Sequence, residues 1–430
     1  MECPICGGFD EKDRFTCPKC GRENICGAHY NFDYLICEDC ARDMAPAQKK
    51  SSAKAVKVAE SVEVEEVPAG PVKNPFYTRK VKCAVCGVTS EQRWFQAKIY
   101  SERNIDIDKH VQSYLWTDKA FEAYNPSLYY IWHCPNCHFA ESYIDFENPG
   151  KDPFSNFRII KDEFVNQYHE DPRVEKIVDK LGENIDYNKI NYYLAIKLHL
   201  LALFIQMLPA EKENWDPLKV GRYYLRLGWL YREFGELKEP DDKIKNTLGK
   251  LIEFLKKGWP EVPGDEKTAL KQAIVMMNEA FKSSQAIKSI VAEVDLLMLI
   301  AGIHLKLEET EVVLKILNTV LQRGQKTKQR IENNIRDSEK AEKPLPPEEI
   351  KRLDVQVKKI EAMMNKARDL ITDIKSKRYK EERAKAQEII KTLGERPPIE
   401  IREFLLKKGI DQRVATELTP EPKKKFLGLF

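Results

Sequence analysis

YNPSLYYIWHCPNCHFAES, Tyr124 to Ser142, decides how the chain is read. Its run Tyr129-Tyr130-Ile131-Trp132 is rich in β-formers and enters directly upon Cys134 and Cys137. A strand ending on C-x-x-C places two thiolates on one side of a tight loop, as two corners of a tetrahedron require. The complementary pair lies upstream, in VKCAVCG, Val81 to Gly87, as Cys83 and Cys86. Together they predict a zinc ribbon with a long insertion. That insertion is expected to be partly helical around residues 106–124. His133 and His138 flank the second pair. Four thiolates already complete a shell, so the histidines are expected outside it or exposed.

Every other cysteine follows the same pattern. Cys3/Cys6, Cys17/Cys20 and Cys37/Cys40 are C-x-x-C pairs, and Cys26 pairs with His29 as C-x-x-H. All 11 cysteines are used, and with His29 they make twelve ligands. Twelve ligands predict three four-coordinate zinc ions, closed and therefore structural. The first eight permit two wirings. In a cross-brace, Cys3, Cys6, Cys26 and His29 hold one ion, and Cys17, Cys20, Cys37 and Cys40 the other. In a sequential arrangement each half of the module holds its own ion. The short gap between Cys20 and Cys26 favours the cross-brace, in which the ligand order is similar to AN1, FYVE and RING fingers. Prolines and glycines around the pairs (Pro4, Gly7, Pro18, Gly21) shape knuckles, and no βαβ pattern suggests a redox motif. No H-E-x-x-H motif occurs, and neither module has a spare ligand slot for catalysis.

The 430 residues predict several domains. Net charge is +3, which gives no global reason to expect nucleic acid or an anionic membrane as main partner. Knuckles in place of a scattered cysteine frame, with Cys3 already a ligand candidate, predict a cytoplasmic protein without a signal peptide. The most apolar stretch, 192–208, is interrupted by Lys197 and His199 and is too short to span a bilayer.

The fold class expected is mainly α with small zinc-stabilised β modules. The expected divisions are a two-zinc finger at 1–42, a flexible linker at 43–75 and the ribbon with its insertion at 76–152. A helical domain at 153–322, a long helical hairpin at 323–395 and a small helical tail at 396–430 complete the chain. Apolar periodicity and prolines place helices near 158–184, 188–209, 217–235, 241–257, 265–284, 287–306, 309–341 and 347–392, with a last pair flanking Gly409. Tyr224, Leu227, Gly228 and Tyr231 match the first helix of a tetratricopeptide repeat, and Ala273, Met277 and Ala280 fit its second helix. A weaker unit runs through Leu297, Ile300, Ala301 and His304, then Val313, Leu317 and Val320; plain bundle packing is the alternative. Ile350, Leu353, Val357, Ile360, Met364, Ala367, Ile371 and Ile374 form a heptad seam. Its partner is either 309–341, folded back, or the same helix in a second chain.

VKCAVCG, the pair Asp106/Asp108, Asn125-Pro126, Tyr129-Tyr130 and Cys134-Pro135-Asn136-Cys137 together resemble the bacterial family known as domain of unknown function 2225. Leu225 to Glu233, LRLGWLYRE, is similar to the helix that commonly follows the ribbon in that family. The likeness covers about residues 78–235. The chain departs at His138-Phe139, where the family has Gly-Tyr, so an altered knuckle turn is expected. The resemblance implies a bacterial cytoplasmic protein and no reaction.

Three functions are weighed. The first is a non-enzymatic adaptor binding proteins through helical repeats, and through Leu429-Phe430 at the end of KKKFLGLF, which loosely resembles peptides that bind the bacterial sliding clamp. The second is a nucleic-acid-associated factor using Lys80, Lys82, Arg93, Lys98 and Arg103 with Trp94, Phe95 and Tyr100. The remote third is an enzyme with a site at Asp106, Asp108, Tyr129 and Tyr130.

Overall fold

A computed structural model describes residues 74–150, 156–210, 212, 215–238, 241–282, 290–340 and 344–420, with four two-residue strands nearer the start. The chain divides into two units, Met1–Val72 and Lys73–Phe430. In the first, β1 (Arg14–Phe15) pairs antiparallel with β2 (Ile25–Cys26), and β3 (Tyr30–Asn31) with β4 (Ile36–Cys37). Cys26 and Cys37 therefore lie on strands. The other six candidate ligands of this module, the linker to residue 72 and Leu429-Phe430 lie outside the described residues.

The second unit begins with three antiparallel hairpins. β5 (Phe76–Lys82) pairs with β6 (Thr89–Phe95), β7 (Tyr100–Ile105) with β8 (Val111–Trp116), and β9 (Ile131–His133) with β10 (Ala140–Ser142). Of the stretch expected to be partly helical, 106–124, only Lys119–Phe121 is helical, as a 3-10 turn, and the β7–β8 hairpin takes the part before it. Its arms carry Tyr100, Ile105, Val111, Tyr114 and Trp116, which suit a pleated surface. Its tip holds an Asx turn: the Asp108 carboxylate accepts from the His110 amide at 3.2 Å, and Lys109 between them takes a left-handed φ of 64°.

Twelve helices follow among the described residues. α1 is Tyr143–Glu147, α2 Phe157–Glu170, α3 Pro172–Gly182, α4 Tyr192–Met207, α5 Pro217–Gly235 and α6 Asp242–Lys256. α7 is Glu266–Lys282, α8 Ile290–Lys306, α9 Thr310–Glu339, α10 Pro347–Leu393, α11 Pro398–Lys407 and α12 Gln412–Leu418. The continuous helix expected at 158–184 is broken at Asp171-Pro172. Proline disfavours helical backbone at the residue before it, and the Asp171 carboxylate caps α3 by accepting from the Arg173 amide at 2.8 Å.

α4 is apolar on every side and sits in the middle, where such a helix belongs. Each of its three polar interruptions donates a hydrogen bond, while Gln206 Oε1 has no partner among the described residues. Lys197 Nζ donates to the Glu183 carbonyl at 2.6 Å, His199 Nδ1 to the Ala195 carbonyl at 2.8 Å, and Gln206 Nε2 to Glu141 at 2.6 Å. α4 touches both β9 and β10, so the ribbon and the helices share one hydrophobic core.

Burial pushes the His199 imidazole down to about 3. The unfolded chain therefore takes up a proton below about pH 6.5 that the folded chain refuses, and stability falls as pH drops through that window by about 1.4 kcal/mol per unit. Urea midpoints at pH 7 and pH 5 are expected to converge by about this slope when His199→Leu is compared with the wild type. An unchanged slope would show that His199 already titrates normally.

α5 packs on α7 along its length. A Cβ on Gly228 would stand 2.9 Å from Leu270 Cδ2, and one on Gly221 would stand 3.0 Å from Met277 Cγ, so both glycines allow close approach. α8 and α9 form the next antiparallel pair. The heptad seam of α10 lies on that pair within the same chain: Ala367 and Ile374 join Val294, Met298, Val313, Leu317 and Val320 in one cluster. Met364 fills the space left by Gly324 of α9. The far end of α10 makes a separate small core with α11 and α12 through Ala386, Ile401, Leu405, Ile410 and Val414.

Candidate metal centre

The two knuckles are near copies. In the first, the Gly87 amide donates to the Cys83 carbonyl at 2.9 Å and the Cys83 amide to the Val88 carbonyl at 2.9 Å. In the second, His138 donates to Cys134 at 2.9 Å and Cys134 to Phe139 at 2.8 Å. Gly87 and His138 occupy the same left-handed position, with φ of 79° and 59°. The turn expected to be altered by the missing glycine is thus retained. A non-glycine residue there costs about 1–2 kcal/mol. The His138 ring that results is accommodated by Gly182, where any Cβ would collide with it. His138 also stacks on His133, with ring centroids 5.9 Å apart. His133 is buried and His138 half-buried, so of the two alternatives, outside the shell or exposed, full exposure does not hold. Burial pushes the His133 imidazole down to about 4.

The knuckles bring Cys83, Cys86, Cys134 and Cys137 together, with all four sulfurs within 4.8 Å of one another. Cys83 Sγ lies 3.8 Å from Cys137 Sγ, and Cys86 Sγ 3.5 Å from Cys134 Sγ. A tetrahedron with metal–sulfur bonds of about 2.3 Å has edges of about 3.8 Å, so the cluster has the size for one metal ion. Cys83 and Cys134 are buried, Cys137 is half-buried and Cys86 forms the exposed rim. The sulfurs compete for protons: donation to Cys134, with burial adding to it, pushes the Cys83 thiol up to about 11. Four sulfurs at this spacing ionise together only around a cation, which supplies the chemical reason for a metal here.

Two buried polar clusters tie this ribbon to α5. Glu141, on β10, is 1% exposed. It accepts from Tyr223 Oη, from Gln206 Nε2 and, at 2.9 Å, from Lys219 Nζ. Burial pulls the Lys219 ammonium down, but Glu141 and Asp145 more than offset this and hold it above its usual range.

The second cluster brings together Asp106, Asp108, Asn125, Arg232 and Glu233, all of which stand in motifs read from the sequence. Asp108, fully buried, accepts from Arg232 Nη2 at 2.8 Å, and Arg232 Nε donates to Glu266 at 2.7 Å. His110 Nε2 meets Glu233 at 2.8 Å. Glu233 also accepts from Asn125 Nδ2 at 2.6 Å and from Ser127 Oγ at 3.0 Å. Asn125 caps the 3-10 turn Pro126–Tyr129 by accepting from the Ser127 amide. Asp106 pairs with Lys306 of α8, and Lys109 with Asp295 at 2.5 Å.

The hairpin tip thus docks on α5 and α8. Gly302 makes this possible, since a Cβ there would stand 2.6 Å from the Ile107 carbonyl oxygen. Gly302→Ala is expected to cost about 1–3 kcal/mol, because a backbone atom must move. Gly228→Ala, facing only the flexible end of Leu270, is expected to cost less. Equal midpoints in urea would contradict this ranking.

The four residues of the remote enzyme reading are separated. Asp108 serves an ion pair, Asp106 faces Lys306, and Tyr129 is buried against Phe76 and Phe95 in the aromatic core. Tyr130 lies under Arg226, whose guanidinium carbon is 3.6 Å from the ring centroid. The aromatic-basic array also loses a member, since Phe95 is 2% exposed inside that core. Lys219 lies outside every motif read from the sequence, and Glu141, Arg226 and Glu233 stand inside such motifs without a role of their own. Charges at 219, 226 and 233 within a helix of mostly buried residues are the signal the sequence offers.

A family model described as "Uncharacterized protein conserved in bacteria (DUF2225)" matches residues 76–341. No curated protein and no solved structure matches the chain.

Proposed function

The chain belongs to the DUF2225 family, and from that premise we propose that it is a non-enzymatic zinc-binding adaptor of the bacterial cytoplasm. The observation that carries the reading is the closure of the four-sulfur cluster. All four corners are protein ligands, and the knuckles that supply them are spent on fastening a ribbon to a helical body. A metal held so acts as a structural staple. Zinc is the ion this thiolate set favours, and the eight further ligands in the first forty residues raise the count to three ions.

The helical body supplies the surface. The α5/α7 and α8/α9 pairs stack as tetratricopeptide-like units, and such arrays bind peptides and helices. α9 and α10 extend it by about 45 Å and 70 Å of helix at 1.5 Å per residue, with charged, solvated outer faces. Among the described residues no helix is long and apolar enough to cross a membrane.

The test is affinity purification of the full chain from its native host after mild cross-linking, beside a variant lacking residues 344–420. Partners enriched with the full chain and lost with the variant are expected. No partner enriched above background with the full chain would remove the adaptor reading, and an identical set from both would place binding on the α5/α7 and α8/α9 pairs alone.

A further inference from the structure

Among the described residues β5 is paired along one edge only, with β6 in a two-stranded sheet. The Gln96 amide donates to the Pro75 carbonyl and the Cys83 amide to the Val88 carbonyl. The bonded pairs of this antiparallel ladder therefore fall at residues 75, 77, 79, 81 and 83. Thr78, Lys80 and Lys82, which alternate with them, turn their N–H and C=O groups away from β6. None of these groups has a hydrogen-bond partner among the described residues. The outer edge of β6 differs, since its Arg93 carbonyl accepts from the buried Trp132 Nε1 at 2.9 Å.

A cavity of about 840 Å³ lies along the open edge of β5. It is lined by Arg79 to Gly87 without a break, by Glu147 and Pro149 at and beyond the end of α1, and by no residue of β6. A space above either face of the strand would meet alternate residues; one at its edge meets them consecutively. The lining is basic. Lys80 and Lys82 are exposed and have no ion-pair partner among the described residues, whereas Arg79 pairs with Glu147, the one acid in the wall. Lys82 runs back over the first knuckle, its Cε 3.7 Å from where a Cβ on Gly87 would stand.

We propose that the open edge of β5 is a docking site for an extended acidic segment of a partner protein, which adds as a strand and sets its carboxylates against Lys80 and Lys82. Donors and acceptors alternate along this edge, and a second backbone is the ligand that satisfies both. Phosphate oxygens accept and do not donate, so a nucleic-acid backbone would leave the outward carbonyls without donors. Lysines on an edge also turn away apolar and basic strands, which narrows the choice to an acidic one. About five partner residues, at about 3.3 Å each, cover the edge from Thr78 to Lys82. The site rests on the adaptor reading in taking the partner to be a protein, and adds to it a second surface with a ligand of stated chemistry.

The test uses the full-length, metal-loaded protein and the fluorescence anisotropy of a labelled peptide alternating Val and Glu, equal to β5 in length. Beside it stand the same peptide N-methylated at its central residues, a Val–Lys counterpart and a single-stranded oligothymidylate. The Val–Glu peptide is expected to saturate about ten-fold more tightly than the Val–Lys peptide. N-methylation, which removes donors and keeps the charge, is expected to weaken it by about ten-fold or more. Lys80→Pro is expected to block docking with melting temperature and metal content retained, because the N–H it removes lies outside the β6 ladder. Lys80→Glu combined with Lys82→Glu is expected to reverse the preference in favour of the Val–Lys peptide, and decides the matter if the proline variant fails to fold. No saturable binding of the Val–Glu peptide, equal binding after N-methylation, or tighter binding of the oligonucleotide would overturn the proposal. The adaptor test reads cellular partners of the helical body and this one reads a purified chain with a defined peptide, so either can fail alone.

Discussion

On the proposed reading of three zinc ions, Cys134→Ser is expected to lose one of them and to unfold the ribbon. Cys134 is fully buried, so the serine hydroxyl would enter an apolar site as well as a broken shell. A structural zinc contributes about 10–16 kcal/mol of binding free energy, against a net stability of about 5–15 kcal/mol for an ordinary domain. One lost thiolate is therefore enough to release the ion and, with it, the β5–β6 and β9–β10 hairpins. Elemental analysis should read three ions per chain in the wild type and two in the variant. Amide exchange should become fast over 76–95 and 131–142. α9 and α10, whose shared core is remote from the knuckles, should keep their protection. Cys86→Ser, at the exposed rim, should weaken metal retention against a chelator with a smaller loss of fold. Full protection of the ribbon in a metal-free Cys134→Ser protein would show that the staple is dispensable.

Arg232→Met is the second large effect expected. It would leave the Asp108 carboxylate buried and unpaired, and removing one partner of such a pair costs about 3–5 kcal/mol. The loss should fall first on the β7–β8 hairpin, whose tip is held by this pair, by Lys306 and by the close approach at Gly302. The double variant Asp108→Leu with Arg232→Met should recover most of the stability, because two apolar groups replace two charges at once. Glu266 would then lose the Arg232 Nε donor, so recovery should stop short of the wild type. Urea unfolding of the four proteins measures the coupling. A loss below about 1 kcal/mol in Arg232→Met would mean that water reaches Asp108 and that the pair behaves as a surface bridge.

Local chemistry was legible where it repeats at a fixed spacing. The C-x-x-C pairs announced the sulfur cluster, because a knuckle turn is closed by its own backbone and needs little from the rest of the chain. The helix bounds followed from apolar period and proline, with the break at Pro172 missed because apolar residues continue in register on both sides of it. The β7–β8 hairpin was misjudged because Asp106-Ile107-Asp108 reads equally well as a helix start. The choice is made by α5 and α8, far away in sequence, which supply Arg232, Lys306 and the gap at Gly302.

The retained turn at His138 makes the same point from the other side. Nothing near Cys137 explains why a histidine is tolerated at a left-handed position, but Gly182, the last residue of α3, leaves room for its ring. Likewise Glu141 looks like an ordinary solvated acid beside Ser142, until Gln206, Lys219 and Tyr223 close around it.

Sequence alone determined the sulfur ligands of the ribbon and the succession of helices, since both depend on neighbours a few residues apart. Tertiary structure decided what the isolated acids, histidines and arginines are for. Their partners lie as many as 200 residues away, and a charge acquires its role only when folding removes water from around it.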